Sequence, residues 1–185
     1  MAVQVASKAR SAAFVDNPAD RGGSSDESRT ELISFAIGDE QYGVDIMAVR
    51  EIKEWSNVTR LPDQPDYIRG VLNLRGVIGP IIDLRCRFGQ GVTESTPMHI
   101  IIIVQIEGRQ IGLLADRVLD IVSCETSKVQ QVPTVDAAGG ADFLSGLITL
   151  EGTMIALIDL PNLLATDAEV GQLIEQPAVP AAITD

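Results

Sequence analysis

Asp66–Leu84, DYIRGVLNLRGVIGPIIDL, returns without a gap at Asp142–Leu160 as DFLSGLITLEGTMIALIDL. Seven of the nineteen positions are identical (Asp66/Asp142, Gly70/Gly146, Leu74/Leu150, Gly76/Gly152, Ile82/Ile158, Asp83/Asp159 and Leu84/Leu160), and most others exchange one apolar residue for another. The chain therefore carries one structural unit twice, which constrains the architecture before any single residue is given a role. Upstream, Glu40–Ile52 (EQYGVDIMAVREI) matches Arg109–Ile121 (RQIGLLADRVLDI), and Val58–Pro62 matches Val129–Pro133, while the offset rises from 69 to 71 to 76. Such small steps mark corresponding strands joined by loops of unequal length, a weakly penalised divergence because closure entropy grows slowly with loop length.

Within each copy the periodicity is that of strands. Leu32, Phe35 and Ile37 lead into a Gly38-Asp39-Glu40 turn, and Tyr42, Val44, Ile46 and Val49 come next, the pattern of a hairpin. Val71–Leu74 and Val77–Leu84 flank Arg75-Gly76, a two-residue connection in which glycine supplies the positive φ of a tight hairpin. Copy two places Glu151-Gly152 there, so one frame presents opposite charges at its two tips. Ile100–Val104 is a continuous apolar run, the mark of a strand buried on both faces. Trp55–Pro65 reads as a loop with a short strand around Val58, closed by prolines that cannot donate to a ladder. Residues 86–97 read as a linker, and Asp159 with Pro161 as the start of a short helix, with Leu163, Val170 and Ile174 on one face. Residues 1–31, rich in Ala, Ser, Asp and Gly, show no periodicity and predict a disordered tail. The expected organisation is thus a tail (1–31), two β-barrel subdomains (32–92 and 93–165) and a C-terminal helix and tail (166–185). Halves of roughly 60 to 70 residues are marginal alone, so they should pack together, with the groove between them a natural binding site.

Net charge is −12, from 14 basic and 26 acidic residues, with no Lys/Arg-rich face of the kind nucleic acid requires. The charge is uneven: residues 32–92 hold seven basic and eight acidic groups, residues 93–165 three and nine, so copy one keeps arginines that can meet a partner's carboxylates. Cys86 and Cys124 are isolated thiols that suit a reducing cytoplasm and offer neither a disulfide framework nor a zinc set. Lys8 and Arg10 interrupt the N-terminus before any apolar core adequate for a secretory signal, and no apolar run is long enough to span a membrane. Met1 and polar tails at both ends suit a stand-alone chain.

Catalytic chemistry finds little support. His99 is the only histidine, which excludes any site needing two. Asp83 and Asp159 share one repeat position at strand ends, where capping explains both. Neither a phosphate-binding GxxxxGK[ST] nor a strand-to-helix GxGxxG occurs, and the metal-ligand inventory is poor. There remains surface presentation by Val49, Arg50, Glu51, Gly70 and Arg75, each of which also has a purely structural explanation as a core, solvated-strand or turn residue.

Those residues sit in segments that carry a family resemblance. Phe35–Ile52, Val58–Pro62 and Tyr67–Arg85, with the NLRG turn, Pro80 and the IDLR ending at matching spacing, closely resemble the CheW family, the adaptors of bacterial chemotaxis arrays, over about residues 32–165. The resemblance implies an all-β fold of two tandem, intertwined five-stranded Src-homology-3-like barrels with a short C-terminal helix, and neither catalysis nor a cofactor. It implies a cytoplasmic scaffold, recruited to membrane-associated arrays, that joins the signalling tip of a chemoreceptor (methyl-accepting chemotaxis protein) to the regulatory domain of the histidine kinase CheA. By motif position, receptor contacts would fall at Val49, Glu51, Gly70 and Arg75, with Val118 and Ile121 from copy two. Kinase contacts would fall at Asn57, Val58, Thr59, Arg60 and Ile100. Gly79, where an apolar strand residue would be ordinary, reads as a bulge or a close backbone approach. The alternatives are a small-molecule-binding double barrel using the same groove and an adaptor of a non-flagellar chemosensory-type pathway.

Overall fold

Among the described residues, β-branched and aromatic residues at alternate positions build ten strands, five from each copy of the repeat. Copy one forms β1 (Arg29–Ile37), β2 (Glu40–Asp45), β3 (Val49–Glu54), β4 (Ile68–Leu74) and β5 (Val77–Asp83), then a one-turn helix α1 (Leu84–Arg87). Copy two forms β6 (Ile100–Ile106), β7 (Arg109–Ala115), β8 (Arg117–Glu125), β9 (Leu144–Leu150) and β10 (Thr153–Ile158), then α2 (Leu160–Ala165). The structure, a computed structural model, describes residues 28–133 and 141–165. The expectations for 1–27 and 166–185, including Val170 and Ile174 on a helix face, lie outside the described residues.

Three local details differ from the sequence reading. β1 begins at Arg29, ahead of the expected Leu32, because Arg29–Glu31 pair with Ser123–Glu125 of β8. The second hairpin arm does not run from Tyr42 to Val49: Ile46–Ala48 form a 3-10 turn, nucleated where the Asp45 carboxylate accepts the Met47 N–H at 2.8 Å. α1 takes the first residues of the expected linker, since the Asp83 carboxylate caps it at the Cys86 N–H.

The strands form two five-stranded sheets, ordered β8-β1-β2-β10-β9 and β3-β6-β7-β5-β4. Each sheet draws on both copies, so the fold is intertwined: the β1–β2 hairpin sits between β8 and β10, and the β6–β7 hairpin between β3 and β5. The registers repeat as well. Ile52 lies opposite Ile102 as Ile121 lies opposite Ile33, and the parallel pair Ile81/Gly112 reappears as Leu157/Gly43.

Three cores result from the alternation of side chains across each strand. Along β6, Ile102 and Val104 enter a central core between the sheets, with Phe35, Tyr42, Leu113 and Leu163, while Ile101 and Ile103 enter a second core with Leu74, Ile81 and Leu114. A third core, of Leu32, Cys124, Ile148, Ile155 and Leu157, fills the other sheet. The apolar run at 100–104 is therefore a strand buried on both faces, with Ile100 partly exposed at its end.

Polar contacts fix the segment after β5. Asp83 is fully buried; it accepts the Thr93 N–H (2.8 Å) and hydroxyl (2.7 Å), and Arg69 stands 3.5 Å away while donating to Thr93 O and Ser95 Oγ. The Arg87 guanidinium lies 4.4 Å from the ring centroids of both Tyr67 and Phe143, which ties α1 to copy two. Gly79 is a close backbone approach: a Cβ there would lie 2.5 Å from Gln110 O and 2.7 Å from Leu74 Cδ1. Among the described residues, no helix is long and apolar enough to cross a membrane, and no group of three His, Cys, Asp or Glu side chains could hold a metal.

Candidate functional site

Four of the expected receptor-facing residues, Val49, Glu51, Val118 and Ile121, fall on the edge strands β3 and β8, around a repeated irregularity. Between Val49 and Glu51 the β3–β6 register slips by one residue at Arg50, and between Val118 and Asp120 the β8–β1 register slips at Leu119. These are equivalent positions at offset 69, so each sheet carries a bulge at the same point of its edge, the kind of place where side chains are re-aimed out of a ladder. The Ser34 hydroxyl anchors the second bulge, donating to Asp120 O (2.9 Å) and accepting the Asp120 N–H (3.1 Å).

Around the bulges, Val49 and Val118 are partly buried against the central core. Ile121 is 57% exposed, beside Leu119 at 37%, and its copy-one counterpart Ile52 is 39% exposed, so both edges offer apolar surface to solvent. Glu51 reaches Arg75 of the β4–β5 turn, with Glu51 Oε2 2.8 Å from Arg75 Nε. Since β3 and β4 are opposite edges of one sheet, this ion pair spans from edge to edge.

The turn that presents Arg75 has positive φ at both central residues, 57° at Arg75 and 90° at Gly76, the signature of a type I′ hairpin. Asn73 supports it by accepting the Gly76 N–H at 2.6 Å. Glu151 (50°) and Gly152 (81°) repeat the geometry in copy two. The equivalents of Glu51 and Arg75 are Asp120 and Glu151, so the copy-one corner carries a charge pair and the copy-two corner two acids.

The expected kinase-facing residues gather at the far end of β3. Ile100 pairs with Glu54, and Trp55 donates its N–H to His99 O at 2.8 Å, which places the start of the Asn57–Arg60 loop beside Ile100. Val58 is partly buried against the core holding Ile101 and Ile103, whereas Asn57, Thr59 and Arg60 are exposed. Thr59 forms an isolated bridge with Val71 of β4, the short strand expected near Val58. Gly70 stands apart from the other candidates: it is buried under Thr59, with φ of +137°.

The remaining chemistry-bearing groups are engaged in folding contacts. Asp116 accepts the Gly38 N–H (2.7 Å) and the Arg85 guanidinium (2.6 Å), and its Oδ1 is 3.5 Å from Nε2 of His99. Burial pushes the Asp116 carboxyl up, but the Gly38 hydrogen bond and the Arg85 and His99 charges outweigh it and hold the group below the usual carboxylate range. Burial raises both thiols, which disfavours thiolate chemistry at Cys86 and Cys124. Arg60, Leu61, Gln64, Pro65, Asp66, Ile68, Arg69 and Val92 line a polar pocket of about 320 Å³. The sequence reading named Arg50 for surface presentation but not as a bulge, and it missed Leu119 and the exposed Ile52; the 69-residue offset linking Ile52 to Ile121 was the signal that could have found the last.

Comparison with known proteins agrees with this architecture. Residues 31–168 match the CheW-like domain family. A chemotaxis protein CheW of Rhizobium meliloti is 39% identical over 74% of this chain and 88% of its own length, and one of Klebsiella aerogenes is 36% identical over 74% and 82%. The crystal structure of scaffolding protein TtCheW from Thermoanaerobacter tengcongensis superposes with a TM-score of 0.68 at 33% identity, covering 74% of this chain and 88% of that one.

Proposed function

The chain belongs to the CheW-like domain family, and from that premise we propose that it is a non-enzymatic adaptor of a chemotaxis array, holding a chemoreceptor signalling tip on one face and the regulatory domain of CheA on another. In this reading it acts in the cytoplasm, recruited to membrane-associated receptor arrays. The observation that carries the receptor assignment is the bulged pair of edges. A receptor tip is a helical hairpin, and exposed Ile121, Leu119 and Ile52, beside half-buried Val49 and Val118, suit its apolar stripe. The Glu51–Arg75 pair supplies two opposite charges that can fix its register. The Asn57–Arg60 loop and Ile100, at the other end of β3, are the kinase-facing patch in this reading. Binding energy should concentrate in the apolar residues, with the exposed charges governing orientation and salt dependence.

The test is kinase autophosphorylation with a receptor signalling fragment, with and without this protein, using Arg75→Glu as the paired variant. The expected result is strong stimulation that the variant removes while remaining folded. Stimulation unchanged by Arg75→Glu at matched stability would remove Arg75 from the receptor face. No stimulation by the folded wild type with partners from one organism would refute the adaptor reading for that array.

A further inference from the structure

β3, the loop after it and β4 form a closed ring fastened at two points. One fastening is the Glu51–Arg75 ion pair, whose side chains are 31% and 80% exposed and which therefore holds weakly in water. The other is the Thr59–Val71 bridge, where Thr59 N–H donates to Val71 O at 2.9 Å and Val71 N–H to Thr59 O at 2.8 Å. Gly70 lies beneath this second fastening. A Cβ built on it would stand 2.3 Å from Thr59 O, 2.8 Å from Thr59 C and 3.1 Å from Arg60 Cα, so the obstacle is backbone and no flexible side chain can yield. Its φ of +137° is also one that side-chain-bearing residues rarely adopt.

We propose that Gly70 is a positioning residue and not a partner contact: its missing side chain lets the Thr59 backbone seat on β4, which sets where Asn57–Arg60 stand relative to Glu51 and Arg75. The inference rests on the adaptor reading above and deepens it, since it makes the placement of the kinase-facing loop depend on the Thr59–Val71 bridge while the receptor-facing edge is held by the β3–β6 ladder. Relieving the contact to ordinary van der Waals separation requires Thr59 to move by about 1 Å, which breaks both bridge hydrogen bonds. The displaced residues are the kinase-facing ones. Arg75 lies five residues further along the chain, in the turn after β4, about 16 Å away by strand rise, and Glu51 belongs to the ladder with β6. A substitution at Gly70 should thus separate the two binding functions.

Copy two supplies the control. Gly146 lies under the equivalent Gln130–Leu147 bridge, but there a Cβ would first meet a side-chain atom, Val129 Cγ1 at 2.4 Å, with Gln130 O at 3.0 Å. Gly146→Ala places a methyl group under the equivalent bridge, where a side chain is the first obstacle, far from the Asn57–Arg60 loop in sequence and in the other sheet.

The experiment measures affinity of wild type, Gly70→Ala, Gly146→Ala and Thr59→Pro for the CheA regulatory domain and for a receptor signalling fragment, with amide hydrogen exchange at Thr59 and Val71. Thr59→Pro deletes the bridge donor without touching Gly70, and serves if Gly70→Ala does not fold. The expected result is that Gly70→Ala and Thr59→Pro weaken kinase-domain binding about tenfold or more while leaving receptor binding within about twofold. Val71 should lose exchange protection in both, and Thr59 in Gly70→Ala; Gly146→Ala should change neither affinity. Loss of receptor binding by Gly70→Ala, alone or together with kinase binding, overturns the proposal, and so does retention of both affinities. If wild type binds neither partner, the adaptor reading fails, while persistent protection at Thr59 and Val71 in Gly70→Ala would still refute the positioning role.

Discussion

Asp83→Asn and Asp159→Asn, the same substitution at the same repeat position, should differ severalfold in their effect on stability. Asp83 is fully buried, and its two oxygens accept from Thr93 N–H, Thr93 Oγ and Cys86 N–H (3.2 Å), with Arg69 at 3.5 Å. An amide keeps one carbonyl oxygen for Thr93 N–H and Arg69. The Thr93 hydroxyl can turn to accept from the new NH₂ group, but the Cys86 N–H cannot reverse and is left facing a donor, at about 1–3 kcal/mol. Arg69, its side chain 11% exposed, also loses its counter-charge. Breaking a buried pair costs about 3–5 kcal/mol, and the 3.5 Å separation places this one toward or below the lower end. The combined cost of Asp83→Asn is about 3 kcal/mol, or roughly 10 °C in Tm for a body of this size. Asp159 is only partly buried, and its carboxylate accepts from the Asn162 backbone N–H and side-chain amide, both at 3.0 Å. Asn caps helices about as well as Asp, so Asp159→Asn should cost less than about 1 kcal/mol. Urea unfolding followed by fluorescence of Trp55, the only tryptophan, measures both; its ring lies 5.9 Å from the Arg69 guanidinium and so reports on this region. Equal costs for the two variants, or less than about 1 kcal/mol for Asp83→Asn, would refute the assignment of Asp83 as the buried anchor of the segment after β5.

Arg75→Glu should change thermal stability by less than about 1 kcal/mol, because the Glu51 pair is solvent-screened and Glu151 already occupies the equivalent turn at φ 50°. A larger loss by calorimetry would mean that the edge-to-edge pair holds the sheet. Tyr42 is shifted well above the ordinary phenol range by burial and then by its hydrogen bond to Glu40 and that carboxylate's charge. The native state therefore keeps a proton that the unfolded chain releases, so stability is full below about pH 10 and falls above it. Tyr42→Phe should flatten that alkaline decline in urea melts compared between neutral and alkaline pH. Asp116 runs the opposite way: its depressed carboxyl contributes stability present above about pH 4 and lost as pH falls further, so Asp116→Asn should be less stable at neutral pH and less acid-sensitive. Parallel acid melts of the two proteins check this.

The sequence disclosed whatever the repeat encodes locally: strand positions, the type I′ tips at Arg75-Gly76 and Glu151-Gly152, and the caps at Asp83 and Asp159. The division into two sheets was not local. That β1 pairs with β8 and β2 with β10 is decided by burying Phe35 and Tyr42 beside Leu113 in a common core, a choice between long-range partners that periodicity cannot express. The bulges at Arg50 and Leu119 were harder to read because neither is glycine, and the break in period two around them, with Val49 three residues from Ile52 and Val118 three from Ile121, is short. Gly70 was visible as a shared glycine, but the reason for it, the Thr59 carbonyl, comes from a residue eleven positions upstream.

The two copies act as internal controls on each other, and they separate geometry from recognition. Gly70/Gly146 and Gly76/Gly152 are identical and meet like demands: a loop seated on a strand, and positive φ at a turn tip. Asp83/Asp159 are identical and share the cap, yet only Asp83 is also sealed under Thr93 and Arg69, so identity between copies guarantees the common task and not the whole task. Glu51/Asp120 and Arg75/Glu151 show the converse. Backbone geometry is repeated, bulge for bulge and φ for φ, while the charge at the tip is reversed. A fold that needed the ion pair for stability would have kept it twice. Because the second corner keeps its turn with two acids in place of a pair, the charges at Glu51 and Arg75 are free of structural duty, and their pairing at one corner only gives the molecule an electrostatic direction that its repeated backbone lacks.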